Sequence, residues 1–286
     1  MSDLSSMRRI SRWLTAAACL SLLSLTAGGA EGASTETSPW APAPGATWQW
    51  QIVGSVDTSL DVQMYDIDLF DARPKQVNGG VIDQLHADGH TVVCYVDTGA
   101  WESYRPDASQ FPRSVIGNAT YASNGKRWKG ERWLDIRPKS WDKFAPIIWA
   151  RLDLAVDLGC DGVEPDQNNP WGNKPGFPIT LKQQKRWYLE VAAQAHARGL
   201  SVGMKNGVEV VDADTVAAFD WALNEECFQY HECGAYDPFI ASGKAVFNVE
   251  YVGRMSSYCP KAVERQFSTL KKRLALGAWR KVCQAG

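Results

Sequence analysis

Carboxylates recur where short apolar runs of the sequence give way to polar loops. Asp66 and Asp68 close one run, and Asp97, Asp166, Glu225 and Glu250 close others. Lys205 and Asn206 end a further run. Acids gathered on one rim repel one another, and partial burial raises some of their pKa values while others stay ionised. That division supplies the proton donor and the ionised partner that glycoside hydrolysis needs. The acids are not equivalent. Asp97 precedes Thr98-Gly99 and suits a turn cap as well as a chemical role. Asp161 precedes Gly162 at the start of its run and reads as structural. Glu164 lies inside the same run, placed to pair with Lys205. Asp166 meets the polar loop Gln167-Asn168-Asn169 and is the favoured chemical group. Glu225 and Glu226 are adjacent, so an extended chain would aim only one of them at a site. Lys205 is placed to orient a carboxylate or hold substrate oxygens. No Ser-His-Asp spacing or GxSxG supports acyl transfer, and no GxGxxG or GxxxxGK[ST] follows an apolar run.

The elements that must position these groups alternate. The apolar runs are 48–53, 62–68, 91–97, 161–166, 200–206, 220–225 and 244–251. Most are apolar throughout, which suits parallel strands covered on both faces. Helical patterns lie between them at 74–88, 140–158, 180–198, 211–219 and 259–276, several opened by Pro or Thr and closed by Gly. This βα alternation predicts an α/β fold with a parallel sheet, either open and doubly wound or closed. The length left after the signal peptide fits a single (β/α)8 barrel of the TIM type, with room near Val282 for only a short eighth strand after the last helix. The segment 98–140 is polar and aromatic, and a connection that long is usually functional.

The chain begins with Arg8, Arg9 and Arg12, then an apolar stretch from Trp13 to Ala27, then small residues to Ala30. This reads as a secretory signal peptide over 1–30, followed by a flexible leader over 31–47 and a catalytic domain over 48–286. Its loss removes three Arg and one Asp from a chain of net charge −2 and leaves −4. No basic tract offers a phosphate-binding footprint, so nucleic acid is excluded as a partner. No later segment can span a bilayer. A secreted, soluble monomer is expected. Six cysteines remain outside the signal peptide, an even number that suits an oxidising compartment. Cys227–Cys233 would close a short loop and Cys259–Cys283 would pin the last segment. Cys94 and Cys160 are either a pair or two buried thiols. The absence of CxxC and the scatter of four His argue against zinc.

The runs CDGVEPDQNNPW (160–171), GLSVGMKNG (199–207) and ALNEECFQYHEC (222–233) resemble glycoside hydrolase family 114, the endo-α-1,4-polygalactosaminidases. So do WQWQI (48–52), CYVDTGAWESYRPD (94–107), GERWLDIR (130–137) and FNVEY (247–251), in the same order over about residues 45–255. The resemblance implies a (β/α)8 barrel that cleaves α-1,4-linked galactosamine polymers internally, without metal or organic cofactor. It places the family's catalytic acids on Asp166 and Glu225. Galactosamine carries an ammonium group, which an acidic rim would attract. The substrate contacts expected on this basis are Asp66, Asp97, Glu102, Lys205, Asn206, Glu250 and Tyr251, with Trp101 and Trp171 stacking on sugar faces. Two alternatives are a glycosidase of this fold acting on a neutral or N-acetylated polymer, and a carbohydrate-binding barrel without turnover. A drier Glu225 beside a disulfide loop would hold a proton and serve as the acid, with Asp166 as the nucleophile or, if the two carboxylates stand wide apart, as the base for water.

Overall fold

A computed structural model describes residues 39–284. The signal peptide and the first part of the leader lie outside the described residues. The chain runs β1 (Trp48–Gln51), β2 (Met64–Asp68), α1 (Val81–Ala87), β3 (Thr91–Asp97), β4 (Ala100–Glu102), β5 (Ile116–Tyr121) and β6 (Arg127–Leu134). It continues through α2 (Trp141–Leu158), β7 (Gly162–Asp166), α3 (Leu181–His196), β8 (Ser201–Lys205), α4 (Ala213–Ala218), β9 (Trp221–Glu225), α5 (Cys227–Tyr230) and α6 (Asp237–Ala241). It closes with β10 (Val246–Glu250), α7 (Met255–Glu264), β11 (Ser268–Lys271) and β12 (Lys281–Val282).

Eight strands pair in parallel in the order β1-β2-β3-β7-β8-β9-β10-β11 and curl into a TIM-like barrel. Strands β2, β7, β8 and β10 are buried at every residue, as expected of a sheet covered on both faces. The seam between β11 and β1 is bridged by the Trp48 indole, which donates to the Ser268 carbonyl at 2.8 Å. The C-terminal segment also crosses it: Gln49 donates to the Ala278 carbonyl at 2.9 Å, and Arg280 to that of Trp48. Inside the barrel, Trp50, Trp221 and Phe247 share one apolar cluster. Gly203 makes room for it, because a Cβ there would lie 2.3 Å from the Trp221 ring.

The seven strands expected from the sequence all form. The eighth does not lie at Val282. Helix α7 stops at Glu264, Gln266 takes a left-handed turn (φ 58), and β11 lies within the stretch expected to be helix. Val282 instead sits on β12, antiparallel to β11. The helix expected from Pro74 begins only at Val81, because the left-handed Gly80 (φ 83) holds the chain in turns before it. Residues 39–47 of the expected flexible leader are laid on the barrel: Trp40 packs against the cluster around Trp48, and Ala245 donates to the Pro42 carbonyl at 2.9 Å.

The long connection 98–140 folds into an antiparallel sheet, β4-β6-β5, beyond the C-terminal end of β3. All six cysteines of the described residues pair: Cys94–Cys160, Cys227–Cys233 and Cys259–Cys283. The open alternative for Cys94 and Cys160 resolves as a bridge between β3 and the residues leading into β7. No helix among the described residues is long and apolar enough to cross a membrane.

Candidate active site

Three neighbouring strands deliver three charged side chains to one point. Asp166 ends β7, Lys205 ends β8 and Glu225 ends β9. The next residue in each case takes a left-handed backbone: Gln167 (φ 60), Asn206 (φ 48) and Glu226 (φ 65). Such conformations cost non-glycine residues of order 1 kcal/mol or more and gather at functional sites. The chain beside Asp166 is fixed by Thr98 and Gly99, whose N–H groups both donate to the Asp166 carbonyl at 3.1 Å. Only glycine fits at 99, since a Cβ would stand 1.8 Å from the Gln167 carbonyl oxygen.

Lys205 is buried and organises the centre. Its Nζ donates to Glu164 Oε1 at 2.5 Å and lies 3.3 Å from Asp166 Oδ1 and 3.5 Å from Glu225 Oε2. Burial alone would lower its pKa, but Asp166, Glu164 and Glu225 outweigh burial and keep it charged. The Trp50 indole donates to the other Glu164 oxygen at 2.9 Å. Asp166 also accepts from the Tyr95 hydroxyl at 3.2 Å and from the Gln167 N–H at 2.7 Å. Glu225 accepts from the Tyr251 hydroxyl and from the Asn206 amide, the latter at 3.1 Å.

Glu225 does not hold the raised pKa expected of a dry carboxyl. Burial pushes it up, but the Lys205 ammonium, the Tyr251 hydroxyl and the Asn206 amide together hold it below the ordinary glutamate range. A quarter of its side chain also stays open to the cleft (25%). Nor does Glu226 turn away from the site. Its left-handed backbone ends the strand alternation, so it lines the same cleft. Burial is the largest influence on its carboxyl and raises its pKa against a hydrogen bond from Ser123, with the Glu225 charge adding to the rise.

The cleft above these groups has a volume of about 1080 Å³. Eight acids line it against three bases, and one of those, Arg105, is already held by Asp68 and Glu102. The cleft is therefore strongly negative. Tyr104, Tyr121, Trp171 and Tyr230 line it and are each at least 43% exposed, leaving flat apolar faces open.

Of the expected contacts, Lys205, Asn206, Tyr251 and Trp171 reach the cleft with Asp166 and Glu225. Asp66, Asp97, Glu102, Glu250 and Trp101 do not. Asp66 lies two residues short of the end of β2 and is wholly buried; burial first, then the Glu164 charge, raises it far enough to hold a proton. Asp97 is raised in the same way, by burial first and then by the Glu102 charge. Glu102 is spent on Arg105 and Arg151. Glu250 accepts from the Phe228 N–H at 2.9 Å and so ties down the disulfide loop. Trp101 packs into a cluster with Phe111 and Ile136, its indole donating to the Ala108 carbonyl.

Sequence reasoning missed Glu131, which β6 carries to the cleft; Tyr104, one of the aromatics of 98–140, also lines it. Burial, then Glu102 and Asp166, push Glu131 up to about 7. The density of acids and aromatics in 98–140 was the available signal. Among the described residues, no group of three or more His, Cys, Asp or Glu side chains could hold a metal ion.

The model of glycoside-hydrolase family GH114 matches residues 29–286. The chain belongs to that family. Family GH114 membership makes it a glycoside hydrolase. The crystal structure of Aspergillus fumigatus Ega3 in complex with galactosamine is similar, with 34% identity and a TM-score of 0.76, over 86% of this chain and 98% of that one. The glycoside hydrolase domain of PelA from Pseudomonas aeruginosa shares the fold at 13% identity and a TM-score of 0.64, over 82% of this chain and 97% of that one. No curated protein sequence matches the chain.

Proposed function

We propose that this enzyme is exported and cleaves α-1,4-linked galactosamine polymers internally, with Asp166 and Glu225 as its two catalytic carboxylates. The observation that carries the reading is the pairing of both carboxylates through Lys205 on the floor of a long, negative, aromatic-lined cleft. A polymer bearing one ammonium per sugar would be drawn to such a cleft, and its sugar faces would stack on the exposed rings. Ega3, crystallised with galactosamine, supports the same sugar. The n-region arginines, the apolar run after them and the three disulfides support export.

The facing oxygens of Asp166 and Glu225 can be no further apart than the sum of 3.3 and 3.5 Å. That bound on the facing oxygens is compatible with the separation of about 5–5.5 Å between carboxyl groups that a retaining reaction uses. We therefore read the reaction as a double displacement. Asp166 attacks the anomeric carbon, and Glu225 gives a proton to the departing oxygen and later takes one from water. The Tyr251, Asn206 and Lys205 contacts would keep Glu225 ionised in the resting enzyme, so its acid form must be assembled during the cycle.

The test uses protein recovered from the culture medium, incubated with fully deacetylated and fully N-acetylated α-1,4-galactosamine polymer. A rapid fall in mean chain length of the deacetylated polymer alone is expected. Release of single sugars from chain ends, equal cleavage of both polymers, or binding without cleavage would each overturn the reading.

A further inference from the structure

The ammonium of Lys205 has three anionic neighbours and a firm bond to only one. Glu164, at 2.5 Å, is the fixed partner, itself held by Trp50. Asp166 and Glu225, at 3.3 and 3.5 Å, are almost equally distant on the side facing the cleft. The rings of Trp50 and Tyr95 stand 4.8 and 5.8 Å from the ammonium, and a cation is stabilised over their faces wherever it leans. A pivot about Glu164 would shorten one of the two long contacts without breaking the short bond. Lysine suits this, as a compact charge on a flexible four-carbon stem.

We propose that Lys205 is a positioning residue whose ammonium moves between Asp166 and Glu225 during turnover, pairing with whichever carboxylate carries the charge and so setting when Glu225 is an acid and when it is a base. The proposal rests on the double-displacement reading above. In the first half-reaction an Asp166 oxygen bonds to the anomeric carbon, the bond from that carbon to the leaving sugar's oxygen breaks, and that oxygen takes the proton of Glu225. Asp166 is then a neutral ester and Glu225 an anion. The only charge left for the ammonium beside Glu164 is Glu225, and Coulomb attraction draws it there. Glu225 so paired is fit to accept a proton. In the second half-reaction a water oxygen bonds to the anomeric carbon, its proton goes to Glu225, and the Asp166–carbon bond breaks. Asp166 regains its charge, Glu225 is neutral, and the ammonium returns. The cation and the proton move in opposite senses, so the net charge of the buried centre is the same before and after each half-reaction. The other titratable groups facing this centre are Asp66, Asp97, Glu131 and Glu226, all raised first by burial, and Tyr95 and Tyr251, both raised by burial and donating. None of them carries a mobile cation.

Lys205→Met removes the charge and keeps a similar stem, and Glu164 can take up a proton in its place. With an activated aryl α-galactosaminide, whose leaving group needs no proton, a burst of aryl alcohol is expected, followed by steady turnover lowered about 10²-fold or more, because Glu225 no longer deprotonates to activate water. A glycosyl ester on Asp166 should accumulate and be seen by mass spectrometry. On polymer, the alkaline limb of kcat/KM should move up by about one pH unit or more, since burial then acts on Glu225 against the Tyr251 and Asn206 hydrogen bonds alone. Burst and steady rate falling together with an unmoved pH profile would show a structural role and overturn the proposal. If Lys205→Met fails to fold, Lys205→Arg, whose planar fork locks onto Glu164, should show the same burst, and its absence would be equally decisive against it. A wild-type enzyme that forms no Asp166 ester with a slow fluorinated glycoside would overturn the double displacement itself.

Discussion

Asn206 grips Glu225 at two points. Its Nδ2 donates to the carboxylate at 3.1 Å, and its Oδ1 accepts from the Glu225 backbone N–H at 2.9 Å. The grip needs the left-handed backbone of Asn206, a conformation that Asn tolerates better than most residues. Asn206→Asp keeps the size and much of that tolerance but sets a second anion against Glu225. Two adjacent carboxylates cannot both ionise cheaply, so the Glu225 pKa should rise. The alkaline limb of kcat/KM on polymer is expected to move upward, and further than in Asn206→Ala, which only removes the hydrogen bond that lowers Glu225. A profile unchanged in Asn206→Asp would show that the grip does not tune Glu225.

Asp166→Asn and Glu225→Gln should both fold and secrete, since each is nearly isosteric. Each should lose several orders of magnitude on polymer. They part on an activated aryl glycoside, where Glu225→Gln keeps its first step and Asp166→Asn does not. The reverse result would exchange the two roles.

Glu226 is a different case because its carboxyl lines the cleft without touching Lys205. Glu226→Gln should hold kcat within about tenfold and raise KM for the cationic polymer, as the loss of an attracting charge would. The wild-type KM should itself rise with salt, because exposed charge pairs are screened within about 10 Å at 0.1 M. Equal KM values for Glu226→Gln and wild type on the deacetylated polymer would remove Glu226 from substrate recognition.

The barrel and the rim that carries the cleft were legible in the sequence because parallel strands buried on both faces leave uninterrupted apolar runs, and the polar residue ending each run marks the rim. Asp166, Lys205 and Glu225 were found that way, as was the Glu164–Lys205 pair. What the pattern could not carry was depth. Asp66 and Asp97 look like rim acids in a list of strand ends, yet both are wholly buried, and burial raises both well above the ordinary aspartate range. The direction of Glu226 failed for a local reason. Alternation holds only while the strand lasts, and φ 65 ends it one residue early for that argument. Glu131 was hidden because its position depends on how β4, β5 and β6 pair across a long connection.

The three disulfides should differ in what they contribute. Cys94–Cys160 spans 66 residues and Cys227–Cys233 spans 6. In the chain-entropy account the longer loop is worth about 4 kcal/mol and the shorter about 2. Thermal melts of the paired Ser variants should show the larger loss for Cys94 and Cys160. Loss of Cys227–Cys233 should instead register mainly in kcat, since its loop follows Glu225 directly. Equal melting losses, with full activity in the second variant, would contradict both expectations.

Asp66 offers a pH test of the buried proton. An unfolded Asp titrates near 3.9, whereas burial and the Glu164 charge raise Asp66 well above that in the folded chain. Below about pH 4 both states hold the proton, and the group costs nothing. Above it the unfolded chain releases the proton while the folded chain keeps it, so the folded state binds more protons and stability falls as pH rises, by roughly 1.4 kcal/mol per unit until the folded pKa is passed. Asn does not titrate, and its amide can donate to Glu164 as the protonated carboxyl does. Asp66→Asn should therefore match wild type near pH 4 and exceed it increasingly toward pH 7, each kcal/mol being worth about 2–4 °C in a domain of this size. The readout is Tm at several pH values for both proteins. A difference that stays constant across that range would mean Asp66 is not the group holding the proton.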